Sequence, residues 1–137
     1  MQRLSKQMPQ GEYAALTSQI ITLAEMEENS AYGHSLNLVA YGYGLKNLKK
    51  DDVILISETE HASNILPWFK ISELTGAKIE YIPLDEKGMI TPENVKKVLN
   101  QYVKIVSIAQ IGNVLGYRVD IKEIAKLVHK IGGVLIV

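Results

Sequence analysis

The chain has 137 residues, with 15 basic and 15 acidic side chains and no cysteine. Zero net charge argues against a general nucleic-acid or anionic-membrane binder, which would carry a basic excess. Without cysteine, these residues can form no disulfide, thiolate metal site or cysteine nucleophile. The 47% hydrophobic and 22% charged fractions are those of a soluble globular chain. Area scaling lets a chain of this length bury roughly two-thirds of its surface, enough for an ordinary core. No apolar run reaches the ~18 residues needed to span a membrane. Met1-Gln2-Arg3-Leu4-Ser5-Lys6 leads into no signal-peptide apolar segment, so the expected location is cytoplasmic.

Leu16, Ile20, Leu23 and Ala24 predict one amphipathic helix ending around Glu28. Leu36, Val39, Ala40 and Tyr43 predict a second, broken near Gly42 and Gly44. Lys46, Lys49 and Lys50 read as its solvated end. Val53-Ile54-Leu55-Ile56 then reads as a short buried strand. Ser63 or Asn64 can cap the next helix, with Ile65, Trp68, Phe69 and Leu74 inward, Pro67 in its early turns and Gly76 as the stop. Lys78–Ile82 is the second strand. Thr91-Pro92-Glu93 supplies an N-cap, a proline at the first helical position and an acid near the positive helix end. Val95, Val98, Leu99 and Tyr102 extend that helix as one apolar stripe.

Lys104–Ile108 is the third strand. Asp120-Ile121-Lys122-Glu123 resembles a capping box with Asp in the Ser/Thr role. It opens a helix with Ile121, Ile124, Ala125 and Val128 on one face and Gly132 at its end. Gly133–Val137 is the fourth strand. Strand starts at 53, 78, 104 and 134 lie 25 to 30 residues apart, the spacing of βαβ units. The fold class expected is α/β, a three-layer αβα arrangement with a mostly parallel sheet covered on both faces. The final apolar strand, with no polar tail after it, suggests a piece of a longer protein.

Open parallel sheets bind ligands beyond the carboxyl ends of their strands. That rule singles out Ser57–Asn64 after the first strand and Ala109–Gly116 after the third, so His61 and Asn113 could face one ligand. Taken by itself, His61 in a polar strand-to-helix loop reads as a solvated or capping histidine. Asn113 reads equally as a turn residue tolerating a left-handed backbone. Glu58 and Glu60 read as solvated carboxylates. His129 reads as a cation near the negative helix end and His34 as structural. Gly42-Tyr43-Gly44 follows a helical pattern instead of a strand, so it does not satisfy the dinucleotide fingerprint.

Thr59-Glu60-His61-Ala62-Ser63-Asn64-Ile65-Leu66-Pro67-Trp68 resembles the Glu-His-x-x-Asn-x-x-Pro-Trp segment of class V aminotransferase-fold proteins. The resemblance is best to the cysteine desulfurase/selenocysteine lyase branch. Asn37-Leu38-Val39-Ala40-Tyr41 resembles the family's helix after its phosphate-binding turn. Asn113-Val114-Leu115-Gly116, followed by Ile121-Lys122-Glu123-Ile124-Ala125, resembles its Ser-Asn-Val-Leu-Gly turn and next helix. The resemblance runs in the family's order from about residue 36 to the end. Residues 1–35 would be a helical N-terminal segment, and residues 36–137 part of the large domain of a fold-type I enzyme.

This resemblance implies pyridoxal 5′-phosphate, an amino-acid substrate (cysteine), a homodimer and a sulfur-acceptor protein. His61 would stack on the pyridine ring and assist proton transfers, and Asn113 would hydrogen-bond the phenolic oxygen. Ala31-Tyr32-Gly33 stands where the family has its Gly-Thr-Thr phosphate turn, so only Gly33 is carried over there. Gly112 replaces the serine before the asparagine. The family's pyridine-pairing aspartate, Schiff-base lysine and persulfide cysteine would all fall beyond Val137, so the chain alone is expected to be inactive. Two further readings stand beside the desulfurase: a non-catalytic α/β scaffold or oligomerisation module, and another class V activity such as a transaminase or lyase.

Overall fold

In the computed structural model, residues 31–112 and 115–137 are described. They fall into two compact units, one running to Asn47 and the other covering Leu48–Val137. The helix expected around Leu16–Ala24 lies outside the described residues.

In the first unit, helix α1 (Ala31–Val39) runs directly into a π-helical stretch, Ala40–Gly44, and one further α-turn, Leu45–Asn47. The expected break at Gly42 and Gly44 therefore does not occur. Glycine costs a helix only about 1 kcal/mol relative to alanine, and the chain widens its turn there instead of leaving the helix. Val39 and Leu45, on either side, keep right-handed helical angles, and the Asn47 amide donates to the Tyr43 carbonyl at 2.8 Å. Leu36, Ala40 and Tyr41 are buried, whereas Tyr43 is exposed.

The second unit is built on β1 (Val53–Ile56), β2 (Lys78–Tyr81), β3 (Val103–Ser107) and β4 (Val134–Ile136). All pairings are parallel, in the order β2-β1-β3-β4. The β-branched runs form the strands within a residue of the expected bounds, because these side chains suit a pleated buried surface. β1 lies between two neighbours and is buried at all four positions. At the β2 edge Lys78, Glu80 and Tyr81 are exposed, so two-sided burial fails on that strand.

Right-handed crossovers place α2 (Ala62–Thr75) on one face, and α3 (Pro92–Val98) and α4 (Ile121–Lys130) on the other. The second face carries the cluster of Val53, Leu55, Val95, Val106, Ile124 and Val128. Ile54 and Ile56 alternate onto the α2 side.

Three helix details differ from expectation. The buried stripe of α2 is Ser63, Asn64, Pro67, Trp68 and Ile71, so Ser63 and Asn64 lie inside the helix and His61 is the cap. Phe69 and Leu74, expected inward, are 43% and 41% exposed because the stripe is set by Asn64 and Trp68. α3 is capped as expected, by the Thr91 hydroxyl accepting from the Asn94 N–H at 3.2 Å. It stops at Val98, however: Leu99 is extended, and Asn100 accepts from the Tyr102 N–H at 2.9 Å, turning the chain into β3. Tyr102 is left exposed.

α4 opens on Asp120, whose carboxylate accepts from the Glu123 N–H at 3.2 Å. Glu123 itself pairs with Lys126 at 2.6 Å instead of returning to close the box. The helix ends in a Schellman motif: Gly132 (φ 76°) donates to the His129 carbonyl and Gly133 to that of Val128. Among the described residues no helix is long and apolar enough to cross a membrane.

Candidate active site

The parallel strands bring every carboxyl end to one edge. From β1 the chain moves outward to β2, then crosses back to β3 on the other side of β1. The connections leaving β1 and β3 therefore depart toward opposite faces, and a crevice opens between them at this reversal of strand order.

One wall is the β1–α2 loop. Ser57, fully buried at the end of β1, pairs its hydroxyl with that of Thr59 at 2.9 Å, and the Glu60 N–H turns back to the Ser57 carbonyl. This turn brings the Glu60 carboxylate inward. It accepts from the Ala109 N–H at 3.0 and 3.1 Å, the Asn64 amide at 2.9 Å and the Ser57 hydroxyl at 3.3 Å. The Asn64 carbonyl oxygen accepts in turn from the Ser107 hydroxyl at 2.5 Å and the Trp68 indole N–H at 3.2 Å. Glu60 thus spans the crevice, reversing its expected role as a solvated carboxylate.

His61 follows at the tip of this wall. Its Nδ1 accepts from the Ser63 N–H at 3.2 Å and lies 2.7 Å from the Ser63 hydroxyl. Accepting at Nδ1 places the hydrogen of the neutral ring on Nε2. The residue is exposed, and Nε2 has no partner among the described residues. The capping and catalytic readings of His61 are therefore compatible, since capping uses one ring nitrogen and leaves the other exposed.

The opposite wall is the segment after β3, folded back on itself. The Val119 N–H donates to the Gln110 carbonyl, Ile111 bridges Arg118, and the Gly112 N–H donates to the Tyr117 carbonyl. A Cβ at Gly112 would stand 2.8 Å from the Tyr117 ring, so only glycine fits there. The Tyr117 hydroxyl accepts from the Ile90 N–H at 2.9 Å, tying this segment to the β2–α3 connection. An open groove of about 550 Å³ borders it, lined by Gln110, Arg118, Val119, Asp120, Ile121 and Lys122. Asn113 lies outside the described residues. Gly33 is a helical residue of α1, in the other unit. Among the described residues no cluster of His, Asp and Glu could hold a metal ion.

The residues that sequence reasoning missed are Glu60 and Ser107, together with the inward role of Asn64. A signal was available: Glu60, Asn64 and Trp68 are spaced i, i+4, i+8, which stacks them on one side of a helix start. Ser107 carried none, being one hydroxyl in a buried strand.

An all-parallel sheet with a histidine-capped helix on one side of a strand-order reversal, stitched by a carboxylate to the backbone on the other, defines a doubly wound α/β domain. Residues 29–137 match the family model for class V aminotransferases, and the chain belongs to that family. It is 43% identical over 103 residues to a probable cysteine desulfurase of Halalkalibacterium halodurans, covering 75% of this chain and 25% of that protein. The apo cysteine desulfurase of Thermococcus onnurineus superposes with a TM-score of 0.68 at 31% identity, over 75% of this chain and 25% of its own. The Escherichia coli cysteine desulfurase CsdA shares the fold, with a TM-score of 0.73 at 24% identity over 92% of this chain and 34% of its own. The chain thus spans about a quarter of the length of the first of these relatives.

Proposed function

We propose that this chain forms part of the pyridoxal 5′-phosphate site of a cysteine desulfurase, centred on the crevice between β1 and β3. The observation carrying this reading is His61: an exposed imidazole fixed through Nδ1 at the N-terminus of α2, on the carboxyl edge of the sheet. A flat ring oriented in this way fits one face of a pyridine, so the residues present suit the cofactor. When bound, the cofactor supplies an electron sink for bond breaking at the amino-acid substrate.

His61 would cover the ring and hold a proton at Nε2. By the resemblance, Asn113 would donate its amide hydrogen to the phenolic oxygen, and Gly33 would belong to the phosphate-binding segment. The sulfur is taken from cysteine. Because these residues contain no cysteine, the thiol that carries the sulfur onward comes from outside them. A homodimer in the cytoplasm handing sulfur to an acceptor protein completes the reading, supported by the resemblance to the desulfurase branch.

The test is a titration of the purified chain with pyridoxal 5′-phosphate, followed by the circular dichroism induced in the cofactor band. His61→Ala should weaken binding about three- to tenfold, the worth of one ring-stacking contact. Identical titrations for the two proteins would refute the assignment.

A further inference from the structure

Glu60 touches both walls of the crevice at hydrogen-bond distance from each. Its carboxylate accepts from the Ser57 hydroxyl and the Asn64 amide on its own side and from the Ala109 N–H across the gap. His61 is its immediate neighbour in sequence, and Ala109 begins the segment leading toward Asn113. Behind the carboxylate, Asn64 is 1% exposed and Ser107 fully buried, so the second tie between the walls, Ser107 to Asn64, is sealed from water.

We propose that Glu60 is a positioning residue that sets the width of the β1–β3 crevice, and with it the distance from the His61 ring to the segment that follows Ala109. This inference rests on the reading of the crevice as the cofactor site. Chemically, the carboxylate suits the task because three donor groups converge on it and a carboxylate is acceptor-only. The Ala109 N–H is shared between both oxygens, which fixes the carboxylate along the line between the walls. Asn64 could not replace it, since its carbonyl oxygen is already used by Ser107 and Trp68.

Two substitutions separate reach from charge. Glu60→Gln keeps the length, and its carbonyl oxygen can still accept from Ala109 and Asn64 while its amide hydrogen turns to the Ser57 hydroxyl. Glu60→Asp keeps the charge but is one methylene too short to hold Ala109 and Asn64 together. A residue needed only for its negative charge would show the opposite order.

The experiment measures hydrogen exchange at the Ala109 amide by NMR on the full chain, together with the cofactor titration described above. In Glu60→Asp the Ala109 amide should exchange about tenfold faster or more, because its hydrogen bond is lost when the carboxylate no longer reaches it. The amides inside β1 and β3 should stay protected, and cofactor binding should fall as in His61→Ala. Glu60→Gln should restore both. Equal Ala109 exchange in wild type and Glu60→Asp would overturn the proposal, as would faster exchange in Glu60→Asp with cofactor binding unchanged while His61→Ala weakens it. If His61→Ala leaves the titration unaltered, the cofactor reading fails, and the Ala109 exchange alone then decides whether Glu60 holds the walls together.

Discussion

Ser107, at the end of β3, donates its hydroxyl hydrogen to the side-chain carbonyl of Asn64 across 2.5 Å, joining positions 43 residues apart. Both are buried, and Asn64 also takes the indole hydrogen of Trp68. Removing the two ends of this bond has unequal effects. Ser107→Ala leaves Asn64 with Trp68 and should lower stability by about 1 kcal/mol. Asn64→Ala strands the Ser107 hydroxyl and the Trp68 N–H in the interior and should lower it by roughly 2–4 kcal/mol. Urea unfolding followed by the fluorescence of Trp68, the single tryptophan, reads both. Equal midpoints would show that Asn64 is not the centre of the network.

Gly112 makes a steric prediction. Its missing Cβ is what lets the Tyr117 ring approach, and that ring is held in place from its hydroxyl by the Ile90 N–H. Gly112→Ala must displace the ring or the segment, at about 1–3 kcal/mol. Gly112→Ala combined with Tyr117→Ala removes the clash but leaves a space. The double variant should therefore be more stable than the sum of the single losses, as a double-mutant cycle of thermal melts would show.

The Thr91 cap tests a purely local term. Thr91→Ala should weaken the protein by about 0.5–2 kcal/mol, and Thr91→Ser should restore most of it, because the hydroxyl that accepts from the Asn94 N–H is kept. Loss of stability in the serine variant as large as in the alanine variant would assign the effect to the threonine methyl.

Lys78 offers a pH prediction. Its ammonium donates to Asp51 at 2.8 Å, and that hydrogen bond, reinforced by the charge of Asp51, raises its pKa above the ordinary 10.5. A raised cationic pKa stabilises the fold fully below the ordinary value and stops doing so as pH climbs through the folded one. The stability difference between wild type and Lys78→Met should thus be constant from about pH 6 to pH 9 and shrink only in stronger alkali. A gap that opens or closes within that range would place its origin elsewhere. The pair is solvent-exposed, so added salt should also reduce it.

The sheet was legible because its signal is redundant. Four β-branched runs at βαβ spacing, punctuated by Gly76 and Gly132, allow few alternatives, and the strands form within a residue of where the pattern puts them. Helix caps at Thr91 and Asp120 were legible for the same local reason. Phe69 and Leu74 were misassigned because hydrophobicity alone does not fix the rotation of a helix, and here an asparagine and a tryptophan do. Gly42 was misassigned because glycine weakens a helix without ending it, and here the chain runs on through a wider π-turn. At the candidate site, His61 could be found from its loop. Glu60 differs from the exposed Glu58 in sequence only by its spacing to Asn64 and Trp68, and its inward role needs the Ala109 N–H that the fold places opposite it.

The strand order also dictates when each surface can be covered as the chain leaves the ribosome. Once Tyr81 has emerged, β1 can pair with β2 and α2 can shield Ile54 and Ile56. Val53 and Leu55 must still wait for α3, which ends at Val98, and α4, which ends at Lys130. Until Ser107 has followed and β3 can pair, the free edge of Val53-Ile54-Leu55-Ile56 is open to any other extended chain. A halt with the chain emerged only between Tyr81 and Val103 lengthens this exposure, and one after Ser107 does not.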